Sequence, residues 1–258
     1  MLSSLPLRQS TFTLSRKLGA LVMGCYRTIK SIRMNNDEFR LLIERAEVDN
    51  LRRALMSEPT LAKRPIHWFL NQQNASDPLH FVSDCVGQGW LTNGKEGEIA
   101  EVLIAHGAAI DGTEGRESPL IAAASLGAEQ VCKVLIEAGC QLEATSLFGS
   151  RALHWAAWMG LSSTVNLLIA HGASIEARCS EFGATPLFWA VHGYGPNGPK
   201  QKRDQVGAVR ILLKAGARSD TSNKEGVSAL NQSHRCERDD MLNLLRDSCE
   251  ESKRPRIV

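Results

Sequence analysis

A block of about 33 residues recurs along this chain, and that recurrence limits what it can fold into more than any other feature. Each block opens on a proline or small residue followed by leucine, continues as a short helix of small residues, and closes a second apolar helix on glycine. The opening leucines are Leu79, Leu120, Leu153, Leu187 and Leu230, at spacings of 41, 33, 34 and 43. The closing glycines are Gly107, Gly139, Gly172 and Gly216, at spacings of 32, 33 and 44. Two independent landmarks share one period and the same long units. A unit of this size cannot bury its apolar face alone, so neighbouring units must stack into a solenoid.

The recurring residue types have local reasons. Proline suits the first turn of a helix, where its missing N–H costs nothing. Ala123-Ala124 and Ala156-Ala157 are small enough for adjacent helices to approach closely. Val131, Val134, Leu135 and Ile136 form an apolar stripe at helical spacing, repeated one unit later by Val165, Leu168 and Ile169. Glycine after each second helix supplies a left-handed C-terminal cap. At the ends, Phe39, Leu42 and Ile43 with Leu51, Ala54 and Leu55 predict an opening helix pair, and Met241, Leu244 and Leu245 predict a closing helix.

In these residues the chain resembles the ankyrin-repeat family. The resemblance is carried by Ser118-Pro119-Leu120 with Gly127 and Ala138-Gly139, by Ala152-Leu153-His154 with Gly160 and His171-Gly172-Ala173, and by Thr185-Pro186-Leu187 with Ala215-Gly216-Ala217. Pro78-Leu79-His80 with His106-Gly107-Ala108 and Ser228-Ala229-Leu230 are more degenerate copies, and the likeness extends over roughly residues 38–248. It implies an all-α solenoid of about six helix-turn-helix units with β-turn fingers. The expected organisation is a basic leader or extension over 1–33, a repeat domain over 34–248 with insertions near 87–97 and 193–207, and a tail over 249–258.

Both insertions contain strings that imitate phosphate-binding motifs. Gly89-Trp90-Leu91-Thr92-Asn93-Gly94-Lys95 follows the spacing of a P-loop, but Glu96 stands where the Mg²⁺-binding hydroxyl belongs, and no strand pattern precedes it. Gly193-Tyr194-Gly195-Pro196-Asn197-Gly198 follows the dinucleotide fingerprint, but a repeat helix precedes it, and Pro196 and Pro199 prevent a helix from opening inside it. Lys200, Lys202 and Arg203 add positive charge there, which leaves an anion- or nucleotide-responsive insertion at 193–203 as the alternative function.

Charge and cysteine usage narrow the function further. Residues 1–33 hold six basic side chains and no acid, so the remaining residues hold 24 basic and 28 acidic groups. A mildly acidic body lacks the electrostatic footprint of nucleic-acid binding. The leader is open to three readings: an extension ahead of Met34, a mitochondrial transit peptide, or a surface helix. Seven scattered cysteines without a Cys-x-x-Cys pair suit a reducing, cytoplasmic setting, with mitochondrial as the alternative. No run approaches the roughly 20 apolar residues that span a bilayer. The basic Lys253-Arg254-Pro255-Arg256 reads as a solvated tail. No metalloprotease or nucleophile-elbow motif occurs, and Cys85 near His80 is no activated nucleophile by proximity alone. No enzyme, cofactor or metal is expected, and the chain is expected to be a monomer.

A protein partner is expected instead. The resemblance implies a concave contact surface built from β-turn tips and first helices. On that register the tips carry Leu147 and Phe148, then Glu181 and Phe182, then Lys224 and Glu225. The helix positions carry Ser125 and Leu126, then Trp158 and Met159, then His192. Leu147, Phe148, Trp158, Met159, Glu181, Phe182 and His192 are therefore the candidate partner-binding residues. Trp155 and Trp189 sit one residue past the histidine position of the repeat and read as half-buried supports. The resemblance gives His80 and His154 a hydrogen bond within their own repeat, and His106 and His171 suit helix C-termini.

Overall fold

Proline opens the first helix of three units, as the sequence predicts, and in two of these a hydroxyl side chain caps it. In the computed structural model, α5 (Pro119–Leu126) starts where Ser118 Oγ accepts the Ile121 N–H at 3.3 Å. α9 (Pro186–Tyr194) starts where Thr185 Oγ1 accepts the Phe188 N–H at the same distance. The structure describes residues 34–67, 75–195, 198–199, 204–235 and 239–253. The chain divides into two units, Met1–Asn35 and Asn36–Val258, and the helices below belong to the second.

Helices alternate between an inner and an outer layer. The inner layer is α1 (Asn36–Glu44), α3 (Pro78–Gly87), α5, α7 (Ala152–Trp158), α9 and α11 (Ala229–Arg235). The outer layer is α2 (Val48–Ser57), α4 (Glu96–Ala105), α6 (Glu129–Glu137), α8 (Ser162–Ala170), α10 (Gln205–Lys214) and α12 (Asp239–Lys253). Each inner helix packs on its own outer partner and on the inner helices before and after it. A short antiparallel pair, β1 (Ile66–His67) with β2 (Ala75–Ser76), lies between α2 and α3. The all-α solenoid expected from the repeat period is the observed architecture.

The core follows the repeat register. Leu79, Leu120, Leu153 and Leu187 are buried, as are Ala123, Ala124, Ala156 and Ala157, while Leu230 in the last unit is half-buried. Gly107, Gly139, Gly172 and Gly216 all have φ between 83° and 101°, the left-handed caps the sequence predicts. One further periodicity ties unit to unit and is not evident from the repeat motif. Asp111, Glu143 and Glu176 each accept a backbone N–H from the following unit, from Gln141 at 2.7 Å, Ser174 at 3.0 Å and Arg218 at 2.8 Å. Charge-assisted bonds of this kind are stronger than neutral ones and fix the register of successive units.

The insertions fall between first and second helices. The first lies between α3 and α4, where Gly89 and Gly94 turn the backbone with φ of 72° and 73° and have no neighbour within reach of an added Cβ. Glu96 begins α4 rather than facing a phosphate, and α3, not a strand, precedes the loop. The second lies between Tyr194 and Gln205. α12 continues to Lys253, past the boundary at 248 that the sequence suggests. The leader over 1–33, the basic residues Lys200, Lys202 and Arg203, and the tail beyond Lys253 lie outside the described residues.

Candidate functional site

The β-turn fingers are linked edge to edge. Glu181 N–H donates to the Phe148 carbonyl at 3.0 Å, and Lys224 N–H donates to the Phe182 carbonyl at 2.9 Å. These bonds align the tips of three consecutive units, so Phe148, Phe182 and Glu225, each directly before a glycine, occupy one register. Phe148 adopts a left-handed backbone, with φ 64° and ψ 8°. For a residue with a side chain this conformation costs roughly 1–2 kcal/mol. The backbone at Phe148 thus holds a large apolar ring in a geometry better suited to glycine or asparagine.

Behind the fingers, the inner helices contribute indoles. Trp189 on α9 is buried and joins Cys179 and Ala184 in a small core, against which Trp155, Trp158 and Phe188 pack. Trp155 meets Trp189 edge-on with ring centres 5.3 Å apart, and meets Trp158 edge-on at 5.8 Å. The Trp155 indole N–H donates to Ser146 Oγ at 3.1 Å, which fixes the ring toward the finger side. Phe148 and Phe182 lie 5.4 Å apart, and Phe148 also reaches Trp189 at 6.5 Å. Edge-on and offset ring pairs of this kind contribute about 0.5–1.5 kcal/mol each beyond burial.

Between fingers and helices is a cleft of about 550 Å³, within the size range of binding pockets. Phe148, Trp155, Trp158, Phe182, Phe188 and Trp189 form its aromatic walls, and His192, Asn223, Glu225 and Gln232 bring polar atoms to it. Asn223 Oδ1 accepts the N–H groups of Glu225 at 3.0 Å and Val227 at 2.9 Å, which shapes the finger that carries Glu225. Gln232 Nε2 lies 3.2 Å from His192 Nδ1, and the His192 ring stacks on Phe188 with centres 6.2 Å apart.

Four of the seven sequence-predicted residues meet here: Phe148, Trp158, Phe182 and His192. Phe148 and Phe182 are 39% and 42% exposed, while Trp158 is half-buried. Leu147, at 69%, is the more exposed side chain of its finger but lies outside the cleft wall, as do exposed Glu181 and half-buried Met159. Trp155 and Trp189 form part of the wall itself as well as its support. Phe188 stands where His154 stands one unit earlier, and that replacement of a polar position by an aromatic one was the available signal for it.

Two glycines of the dinucleotide-like string, Gly193 and Gly198, have steric roles. A Cβ on Gly193 would lie 2.2 Å from the Trp158 carbonyl oxygen, and one on Gly198 would lie 1.7 Å from the Gly193 carbonyl oxygen. Gly207 is similarly tight against the Asp204 carboxylate, which caps α10 by accepting the Gly207 N–H at 2.8 Å. Close approach at Gly193 sets α9 directly against the end of α7, and so places Trp158 in the wall.

The histidines divide by environment. His154 is fully buried, and its Nδ1 accepts the Arg151 N–H at 3.2 Å while Nε2 faces the Ala184 carbonyl at 3.2 Å. It therefore bonds within its own repeat and also across to the next, which the sequence reading does not anticipate. Burial pushes it down to about 4, so the ring is neutral near pH 7. His106 and His171 place Nδ1 at 2.8 and 2.9 Å from the carbonyls of Val102 and Leu167, at the ends of their outer helices. His80 does not use the repeat's own backbone in the same way; its Nε2 lies 3.7 Å from Asp84 Oδ1. Burial, followed by the nearby Glu44 and Asp84 carboxylates, pushes the Cys85 thiol upward, the opposite of an activated thiolate. Among the described residues no group of three or more His, Cys, Asp and Glu side chains is arranged to hold a metal, and no helix is long and apolar enough to cross a membrane.

The chain matches the family model for ankyrin repeats (three copies) over residues 88–179 and 153–254. Curated relatives include a putative palmitoyltransferase ZDHHC13 of Danio rerio, 29% identical over 111 residues, and the palmitoyltransferase Hip14 of Drosophila melanogaster, 28% identical over 111 residues. In both cases the match covers 43% of this chain and spans only 16% of the relative's length. Among solved structures, an ankyrin repeat domain from Acinetobacter baumannii aligns with a TM-score of 0.64 and 22% identity, covering 83% of this chain and 98% of that one. That likeness speaks for the fold alone.

Proposed function

We infer the function from one premise: the chain belongs to the ankyrin-repeat family, whose repeats imply a protein–protein interaction module. On that premise the protein is a non-catalytic module that binds a protein partner through the concave face of its middle repeats. The observation that carries this reading is the aromatic cleft beneath the fingers. Large rings stand partly exposed along one face, and Phe148 keeps its ring there against the preference of its backbone. Contiguous exposed apolar surface of this kind marks interaction sites, and tryptophan in a central pocket is a frequent energetic anchor.

Phe148, Trp158, Phe182 and His192 line the contact, with Leu147, Met159 and Glu181 at its margin. The palmitoyltransferase relatives are matched over too little of their length to bring transferase chemistry to this reading. The alternative, an anion-responsive insertion at 193–203, has less support, since the glycines at 193 and 198 are accounted for by close packing.

Affinity capture tests the reading by comparing wild type with the Trp158→Ala/Phe148→Ala double variant and with Phe182→Ala. A specific protein should co-purify with wild type and be lost from both variants, with Phe182→Ala destabilised only by about the 0.5–1.5 kcal/mol of its ring pair with Phe148. Retention of the same partner by all three forms would place the contact elsewhere.

A further inference from the structure

Among the described residues that line the cleft there is one carboxylate, that of Glu225, and no lysine or arginine. Glu225, in register with Phe148 and Phe182, sits in the cleft wall, and no described residue forms an ion pair or side-chain hydrogen bond with its carboxylate. Exposed Glu181, on the neighbouring finger, is also without a described side-chain partner. The cations nearest in sequence are engaged with backbone instead. Lys224 Nζ donates to the Ser180 carbonyl, and Arg178 donates to the Gly183 carbonyl at 3.2 Å. Arg151 lies 2.9 Å from Glu143 as an ion pair. The cleft thus offers aromatic faces, an unpaired carboxylate and no unpaired cation among the described residues that line it.

The geometry points to an arginine side chain of a partner protein as the occupant. This deepens the proposed function and rests on it: the same cleft, with the chemistry of its anchor specified. A planar guanidinium is attracted by the negative face of an indole or phenyl ring. It is more weakly hydrated than an ammonium, stacks on aromatic planes, and presents a fork of N–H donors that a carboxylate accepts in two parallel bonds. Here the rings of Trp158, Phe148 and Phe182 supply the planes, and Glu225 supplies the carboxylate. A lysine ammonium fits less well, because it is a compact, strongly hydrated charge that wants three acceptors. A purely apolar anchor would leave the Glu225 carboxylate facing it without compensation, at the cost of partial desolvation.

Seven-residue peptides that differ only at the central position, carrying arginine, lysine, citrulline or leucine, test the assignment against the full chain. Citrulline keeps the planar shape and removes the charge. Binding is followed by calorimetry and by the fluorescence of the cleft tryptophans. The arginine peptide should bind at least tenfold more tightly than the citrulline and leucine peptides and several-fold more tightly than the lysine peptide. Glu225→Gln should remove about tenfold of the arginine affinity, leave the leucine peptide bound as tightly or slightly more tightly, and leave the melting temperature unchanged. Raising salt to about 0.5 M should weaken arginine binding in the wild type more than in Glu225→Gln.

Leucine binding as tightly as arginine would overturn the inference while leaving an apolar partner contact standing. So would an arginine affinity indifferent to Glu225→Gln, or binding by none of the peptides. Loss of the captured partner from the Phe182→Ala variant is the separate measure of the underlying contact. The two can therefore fail independently.

Discussion

His154 makes acid stability a direct readout of how the fourth and fifth helix pairs are joined. Its ring is fully buried, with Nδ1 taken by the Arg151 N–H and Nε2–H directed at the Ala184 carbonyl. Burial lowers it from 6.5 to about 4. A group that binds its proton more weakly in the folded state favours unfolding as it becomes protonated. Its contribution to stability is therefore complete above about pH 6.5 and is lost progressively as the pH falls toward 4. At about 1.36 kcal/mol per pH unit, that gap corresponds to about 3 kcal/mol in full and to about 2 kcal/mol by pH 5. Against a typical total of about 5–15 kcal/mol, a loss of that size is readily measured.

The assay is urea denaturation at pH 7.5, 6.0 and 5.0 for wild type and His154→Asn, whose side-chain oxygen can still accept the Arg151 N–H. The variant is expected to be less stable at pH 7.5, since it leaves the Ala184 carbonyl without its partner, but to lose less stability on acidification. The difference between the two should narrow by about 2 kcal/mol between pH 7.5 and 5.0. Asp84, raised by burial, works in the opposite direction because protonation favours its folded form. It lies on α3 and is common to both proteins, so the comparison cancels it. Parallel pH profiles for the two proteins would refute the argument, because they would mean that His154 takes up its proton as easily folded as unfolded.

Two further changes probe the cleft's construction. Gly193→Ala drives a methyl to 2.2 Å from the Trp158 carbonyl and should destabilise by about 1–3 kcal/mol; an unchanged urea midpoint would show that α7 and α9 are not so closely apposed. Phe148→Asn relieves the left-handed backbone but removes the ring contacts with Phe182 and Trp189. These terms are comparable, about 1–2 kcal/mol against about 0.5–1.5 kcal/mol for each ring pair. The melting temperature should therefore move little while partner capture is lost, whereas a fall equivalent to 3 kcal/mol or more would make the ring a structural element.

Much of the fold was legible because each repeat states its own rules locally. Ser118 and Thr185 before proline, paired alanines, an apolar stripe and a terminal glycine are decided by neighbours within one or two turns, and each recurs often enough to be read. The acidic ties were harder to see. Asp111, Glu143 and Glu176 look like ordinary surface acids until the following unit brings a backbone N–H to each. The glycine string at 193–198 misleads for a related reason, since spacing alone does not distinguish a glycine that cradles a phosphate from one pressed against a carbonyl, while Gly89 and Gly94 of the other string serve open left-handed turns.

The candidate cleft was legible only in part. Repeat register identified Phe148, Trp158, Phe182 and His192 as residues of one face, because register depends on period alone. It put Glu225 at the next finger tip, but did not show that Trp155 and Trp189 turn their rings into that face, that Phe188 joins them, or that Glu225 lines the cleft. Those outcomes depend on rotamers and on contacts between residues about 34 to 43 positions apart along the chain. The stack, its period and its caps can be read from the residues alone, since these follow from short-range backbone preferences and the need to bury an apolar stripe. Tertiary structure alone decided the cleft, since ring orientation and the isolation of the Glu225 carboxylate arise only where three successive units meet.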